Sequence, residues 1–177
     1  VAGAAVLLSA IFGYAYRPLL DGKTYYYKES DYFTIKLKKY PIRNGTAEGD
    51  ALILDNLIHS ISDVSDPFFL DYDYLRIYEE LVSWQMRPRR SVDALFIGGG
   101  GYTFPRYMEA RYPGARIDVV EIDPEVTRVA HEYLGLPRST SIRSFNEDGR
   151  WFVMHSGDRG RYDFIFGDAF NDLSIPY

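Results

Sequence analysis

The spacing of apolar residues changes three times along this chain of 177 residues. Val1 to Tyr16 is uncharged and is closed by Arg17-Pro18. Short β-rich runs follow at 24–28, 32–39, 51–54 and 57–61. In the second run Phe33, Ile35 and Leu37 alternate with Thr34, Lys36 and Lys38, the two-residue period of a half-buried strand. Glu29-Ser-Asp31 and Asp55-Asn56 read as turns, and Arg43-Asn-Gly-Thr46 and Glu48-Gly-Asp50 as loops. These runs predict a small antiparallel β-hairpin unit over residues 21–66.

The period then lengthens. Leu75, Tyr78, Leu81 and Val82, with Gln85, mark the inner face of a helix over 74–86. Pro88-Arg-Arg90 ends it. From Val92 apolar runs alternate with helical patterns. Strands are predicted at 92–97, 116–122, 140–143 and 162–166, and helices at 102–112, 124–134 and 146–155. Pro113-Gly114 and Gly135 stop the first two of these helices. Pro124 sits in the first turn of the second, with Asp123 as its N-cap. Strands separated by helices of this length imply an α/β, Rossmann-like parallel sheet with helices on both faces. Residues 67–177 are read as that domain. Such sheets bind ligands at the carboxyl ends of their strands.

Composition narrows the chemistry. A net charge of −5 with no basic block disfavours nucleic acid as a partner. Cysteine is absent, which removes disulfides and thiolate metal sites. His59, His131 and His155 show no ligand spacing, so no metal is expected. Val1 to Tyr16 is shorter than the roughly 20 apolar residues of a membrane span. Residues 1–20 read as the end of a transmembrane helix, with a buried helix and a signal remnant as alternatives. On the first reading, residues 1–17 give membrane association to a cytoplasmic domain of an integral membrane protein. The chain starts without Met and stops soon after a core strand, so a longer protein with a fuller sheet is expected.

Four places at predicted strand ends could carry chemistry. Gly98, Gly99, Gly100 and Gly101 let the backbone turn tightly and approach a ligand closely. They depart from the dinucleotide fingerprint, whose third glycine would fall on Thr103. Glu121 could accept hydrogen bonds from a ribose diol, or could be a plain strand-end acid. Asp148-Gly149 could receive an exocyclic amine of adenine, or could start a helix. Asp168 could orient and deprotonate an incoming amine, or could be a polar strand terminus. Together they point to an adenosine-type ligand.

Leu95-Phe-Ile-Gly-Gly-Gly, Val120-Glu-Ile-Asp123, Asp148-Gly-Arg150 and Tyr162-Asp-Phe-Ile-Phe-Gly-Asp168 resemble the successive motifs of the spermidine synthases, the polyamine aminopropyltransferases. Glu29-Ser-Asp-Tyr32 and Leu52-Ile-Leu-Asp55 resemble that family's N-terminal hairpin region. The likeness runs from about Tyr25 to the end, and a preceding apolar segment is similar to the family's membrane-associated or fused members. The resemblance implies a fold like that of S-adenosylmethionine-dependent methyltransferases. It also implies decarboxylated S-adenosylmethionine as co-substrate and a small-molecule amine such as putrescine as acceptor, and it is compatible with a homodimer. It implies ribose binding by Glu121, adenine contact by Asp148 and Gly149, and amine deprotonation by Asp168. Gly101 and Tyr102 stand where the family's glycine loop carries Asp and Gly. Asp172 is one residue beyond its second active-site acid, and Tyr78-Glu79-Glu80 only partly matches its Tyr-His-Glu. An S-adenosylmethionine-dependent methyltransferase and a non-catalytic nucleoside- or polyamine-sensing domain are the alternatives.

Overall fold

The structure, a computed structural model, describes residues 22–86, 91–157 and 160–169. The apolar segment 1–20, the Pro88-Arg-Arg90 run and Asp172 lie outside these. Among the described residues no helix is long and apolar enough to cross a membrane.

The first half forms an antiparallel meander in the order β1-β2-β3-β4: β1 (Thr24–Glu29), β2 (Thr34–Ile42), β3 (Ala47–Leu54) and β4 (Leu57–Ser62). The alternation in β2 sets its register. Ile35 pairs with Leu54 and Leu37 with Leu52, so one apolar face is contributed by both strands. Those four side chains are buried against Val126, Val129 and Leu134. A one-residue slip of either strand would turn its two apolar side chains outward, so this burial fixes the pairing. The Arg43-Asn-Gly-Thr46 loop forms a 3-10 turn, Arg43–Gly45, with Asn44 at φ 58°.

Helix α1 (Asp73–Gln85) joins the meander to the second sheet. Its core-facing stripe is Leu75, Val82 and the C-cap residue Met86, with Tyr78 packed alongside. Leu81, expected on the inner face, is exposed, as is Gln85. At 100° per residue Leu81 stands roughly 120° from the Leu75–Val82–Met86 line. The helix offers the core too narrow a face to cover it.

The second sheet is parallel, in the order β7-β6-β5-β8: β5 (Asp93–Ile97), β6 (Arg116–Val120), β7 (Arg143–Phe145) and β8 (Phe164–Gly167). Helices α2 (Thr103–Arg111), α3 (Pro124–Tyr133) and α4 (Gly149–His155) make the crossovers. The chain steps outward from β5 to β7, then returns to the other side of β5. The order therefore reverses between β5 and β8, where such sheets open a binding crevice. Strand β7 begins at Arg143 rather than at 140, because Thr140 is held in a turn. Its hydroxyl bonds Glu109 at 2.8 Å and accepts from the Ile142 N–H at 3.1 Å. Helix α4 starts at Gly149 rather than 146, since Asp148 caps it by accepting from the Trp151 N–H at 2.8 Å.

Two devices lock the meander to the second sheet. Ser30, in the β1–β2 turn, donates to Asp123 at 2.5 Å. Asp123 caps α3 by accepting from the Glu125 N–H at 2.8 Å. Glu125 accepts from Tyr26 at 2.6 Å and Lys28 at 3.1 Å, and it pairs with Arg128. These partners hold the Glu125 carboxyl down at about 2. Further along, the buried Arg106 donates to the Leu134 carbonyl at 2.8 Å and the Val64 carbonyl at 3.4 Å. It thereby satisfies a carbonyl at the end of α3, where a cation is also favoured by the helix dipole.

Candidate active site

A cavity of about 780 Å³ opens at the carboxyl ends of β5, β6 and β8. All the candidate residues, Gly98 to Gly101, Glu121, Asp148, Gly149 and Asp168, line it. So do His59 and Ser60 of β4 and Tyr74 and Tyr78 of α1. Behind it lies an aromatic layer. Phe96 stacks on Phe166 with ring centroids 4.6 Å apart, and Phe104 and Tyr78 meet Phe166 at 5.3 and 5.1 Å. Such a floor fixes the strand ends that carry the polar groups.

The glycine loop is shaped largely by its neighbours. A Cβ on Gly98 would stand 2.5 Å from the Asp168 carbonyl oxygen. One on Gly99 would stand 2.8 Å from the Tyr102 ring, and one on Gly101 only 2.0 Å from Ser60 Oγ. Gly100, at φ +47°, meets nothing within 4 Å. Three of the four glycines therefore answer to packing, and the fourth borders open space.

Tyr102 fills the volume beneath the loop. It is fully buried and left-handed at φ 57°. Its hydroxyl donates to Ser144 at 3.0 Å and lies 3.2 Å from the Thr127 hydroxyl. Its N–H bonds the Gly99 carbonyl at 2.8 Å. A bulky residue tolerates this backbone region only where its surroundings hold it there. Here the hydroxyl contacts and the Gly99 bond do so, and the ring stiffens the turn above it.

Glu121 is nearly buried at 5% exposure. One carboxylate oxygen accepts from Gly99 N–H at 2.8 Å and Gly100 N–H at 3.3 Å, and the other from Asp123 N–H at 3.0 Å. Burial pushes its pKa up, and these three donors pull against that rise. The acid thus ties the loop to the end of β6 while facing the cavity. Asn146 donates to the Glu121 carbonyl at 3.1 Å and to Thr127 at 2.8 Å, securing the neighbouring backbone. Asp148 caps α4 and also borders the cavity. Gly149 is required by contact: a Cβ there would fall 2.6 Å from the Ile97 side chain.

Asp168 follows β8 directly, its N–H bonded to the Ile97 carbonyl at 2.9 Å. Tyr74 donates to its Oδ2 at 3.0 Å. Burial raises the Asp168 pKa, while the Tyr74 hydrogen bond and the nearby His59 pull it down. Tyr74 itself is pushed up, first by burial and then by the Asp168 charge. Tyr74, His59 and Ser60 are site residues that the sequence reading did not single out. The signal for Tyr74 was its place one helical turn before Tyr78, on the same side of α1.

No protein-family model matches the chain. It is 35% identical over 106 residues to a polyamine aminopropyltransferase of Vibrio vulnificus, covering 59% of this chain and 34% of that one. It is 34% identical over 98 residues to an eEF1A lysine and N-terminal methyltransferase homolog of Drosophila melanogaster, covering 54% of this chain and 14% of that one. Among solved structures, it resembles a probable spermidine synthase from Corynebacterium glutamicum with a TM-score of 0.74 and 25% identity, over 85% of this chain and 54% of that one. The chain spans little more than half the length of that structure and less of the two sequences. Its parallel sheet with a separate antiparallel sheet is the fold of that spermidine synthase neighbour, and its similarity in sequence runs to the polyamine aminopropyltransferases.

Proposed function

We propose that the chain forms the donor-binding part of an aminopropyltransferase. Decarboxylated S-adenosylmethionine is the donor and a diamine such as putrescine the acceptor. The carrying observation is that Glu121 and Asp168 line one cavity, at the ends of β6 and β8. Glu121, Asp148 and Gly149 bind the adenosine, with Glu121 accepting from the ribose. The acceptor's neutral nitrogen attacks the propyl carbon next to the sulfonium. The new C–N bond forms as the C–S bond breaks, and its electron pair returns to sulfur, releasing methylthioadenosine. Asp168 takes the proton given up by the amine. Because the sulfonium is a good leaving group, most of the acceleration falls to alignment of nitrogen, carbon and sulfur.

One observation favours a second reading, methyl transfer from intact S-adenosylmethionine. The loop carries no acid at Gly101, where Ser60 crowds the place of a side chain. A bare ammonium buried there lacks a counter-charge. The similarity to the Drosophila methyltransferase homolog is consistent with this alternative. Calorimetry on the full-length protein with each donor separates the two. Binding of the decarboxylated donor, with amine-dependent release of methylthioadenosine, is expected. Binding of intact S-adenosylmethionine alone would overturn the leading reading.

A further inference from the structure

The Ser60 hydroxyl is buried and has no hydrogen-bond partner among the described residues. Its residue lines the cavity, and its Oγ is turned against the Cα of Gly101. The neighbouring hydroxyls Ser62 and Thr103, by contrast, bond one another at 3.2 Å. A buried hydroxyl left unbonded is costly, and serine can change rotamer by a single χ1 step. The same Oγ sits 2.0 Å from where a Cβ at position 101 would be, and Ser60 Cβ sits 2.9 Å away. Ser60 therefore occupies the space of a loop side chain and presents a neutral hydroxyl instead.

We propose that Ser60 is a specificity-determining contact for the alkyl arm of the sulfonium nucleoside. This rests on the donor-site reading above. With the adenosine held at Glu121 and Asp148, the arm extends past the glycine loop toward β4 and Asp168. There Ser60 Oγ swings from Gly101 into the cavity and accepts a hydrogen bond from the arm's ammonium. That ammonium is common to S-adenosylmethionine and its decarboxylated form, so the contact serves either donor. Because the hydroxyl is neutral, it gives less preference for the more cationic decarboxylated arm than a carboxylate would.

The test is a binding series on the full-length protein with three probes: methylthioadenosine, which has no amine-bearing arm, S-adenosylmethionine and decarboxylated S-adenosylmethionine. Ser60→Ala is expected to weaken the better-bound donor about 10-fold, the size of one hydrogen bond to a charged group. Methylthioadenosine affinity should stay within about twofold on that view. The double variant Ser60→Gly/Gly101→Asp, which makes room for an acid, should shift preference about 10-fold toward the decarboxylated donor. Equal weakening of all three probes by Ser60→Ala would show that Ser60 only supports the loop, and no weakening of any would remove it from the site. Either overturns the proposal. If wild-type protein binds none of the three, the donor-site reading itself fails, and the contact proposed here falls with it.

Discussion

The two walls of the cavity are built differently. On the β6–β7 side, Glu121 has both carboxylate oxygens committed to backbone N–H groups, and Asp148 and Asp123 each cap a helix. On the β8 side, Asp168 accepts a side-chain hydrogen bond from Tyr74 and faces groups brought from β4 and α1. The first wall is a rigid part of the fold that a ligand can borrow. The second is a meeting point of distant segments, where burial raises the pKa of a half-buried acid. The difference matches the roles proposed above, nucleoside binding for the first wall and proton transfer for the second.

The sharpest way to break this comparison is Asp168→Asn. Turnover should fall by about 10²- to 10⁴-fold, the usual worth of a positioned base. Nucleoside affinity should stay within about twofold. The folded-state pKa of Asp168 is raised, so its contribution to stability is greatest when it is protonated and is lost as pH rises through that raised value. Removing the charge should therefore not lower the melting temperature at pH 7. Unchanged turnover, measured as methylthioadenosine release, would assign the second wall no chemistry.

Glu121→Gln should do the reverse. It leaves one of the two oxygen positions as an NH2 facing backbone donors, so the glycine-loop N–H groups or the Asp123 N–H lose their partner. A cost of about 1–3 kcal/mol in folding stability is expected. Adenosine affinity should drop at least 10-fold along with it. Denaturant melts and methylthioadenosine titration read the two effects. Loss of affinity without loss of stability would mean that the loop does not depend on this acid.

The two walls were also unequally legible in sequence. Glu121, the glycines and Asp168 are visible because each ends an apolar strand, and a strand end has a fixed address in a parallel sheet. The alternation of Ile35 and Leu37 was likewise readable from period two, whereas their pairing with Leu54 and Leu52 came only with the structure. Ser60, His59 and Tyr74 belong to elements that reach the cavity only through the docking of the meander and α1, and no local spacing encodes that docking. Leu81 misled because a helical repeat shows which residues share a face, but not how wide a face the core will cover. The glycine run reads as a tight turn that lets a ligand approach, and the structure adds that Gly98, Gly99 and Gly101 also meet Asp168, Tyr102 and Ser60. Asp168 and Ser60 lie far along the chain from the run and could not be seen from it. Tyr102 at the place of a glycine becomes intelligible only once its ring is found under the loop.

Tyr74→Phe sharpens the account of the second wall. The Tyr74 hydrogen bond lowers the Asp168 pKa against the larger upward push of burial. The acid limb of the pH–rate profile should therefore lie above the ordinary aspartate range in wild type. It should move further up when the hydroxyl is removed. At pH 7 the loss in turnover should be modest, about 3- to 10-fold for one hydrogen bond. A flat fall at every pH, with no movement of the limb, would make Tyr74 a packing residue and not a positioning one.

The smallest effects on turnover come from the glycines, whose cost falls on stability and binding, and they test the packing reading of the loop directly. Gly149→Ala places a methyl 2.6 Å from the Ile97 side chain, at the floor of the first wall. Overpacking of that kind costs about 1–3 kcal/mol. Gly100→Ala meets nothing within 4 Å, so its only penalty is the left-handed backbone at φ +47°, about 1–2 kcal/mol. The two should thus differ little in melting temperature and clearly in binding. The methyl of Gly149→Ala is directed against Ile97, whereas a methyl at position 100, also on the cavity lining, would meet only open space. Titration with methylthioadenosine decides it: weaker binding in Gly100→Ala than in Gly149→Ala marks Gly100 as the loop glycine that faces ligand. The opposite order would mean that the loop's shape, set by its packed neighbours, matters more than the room it leaves.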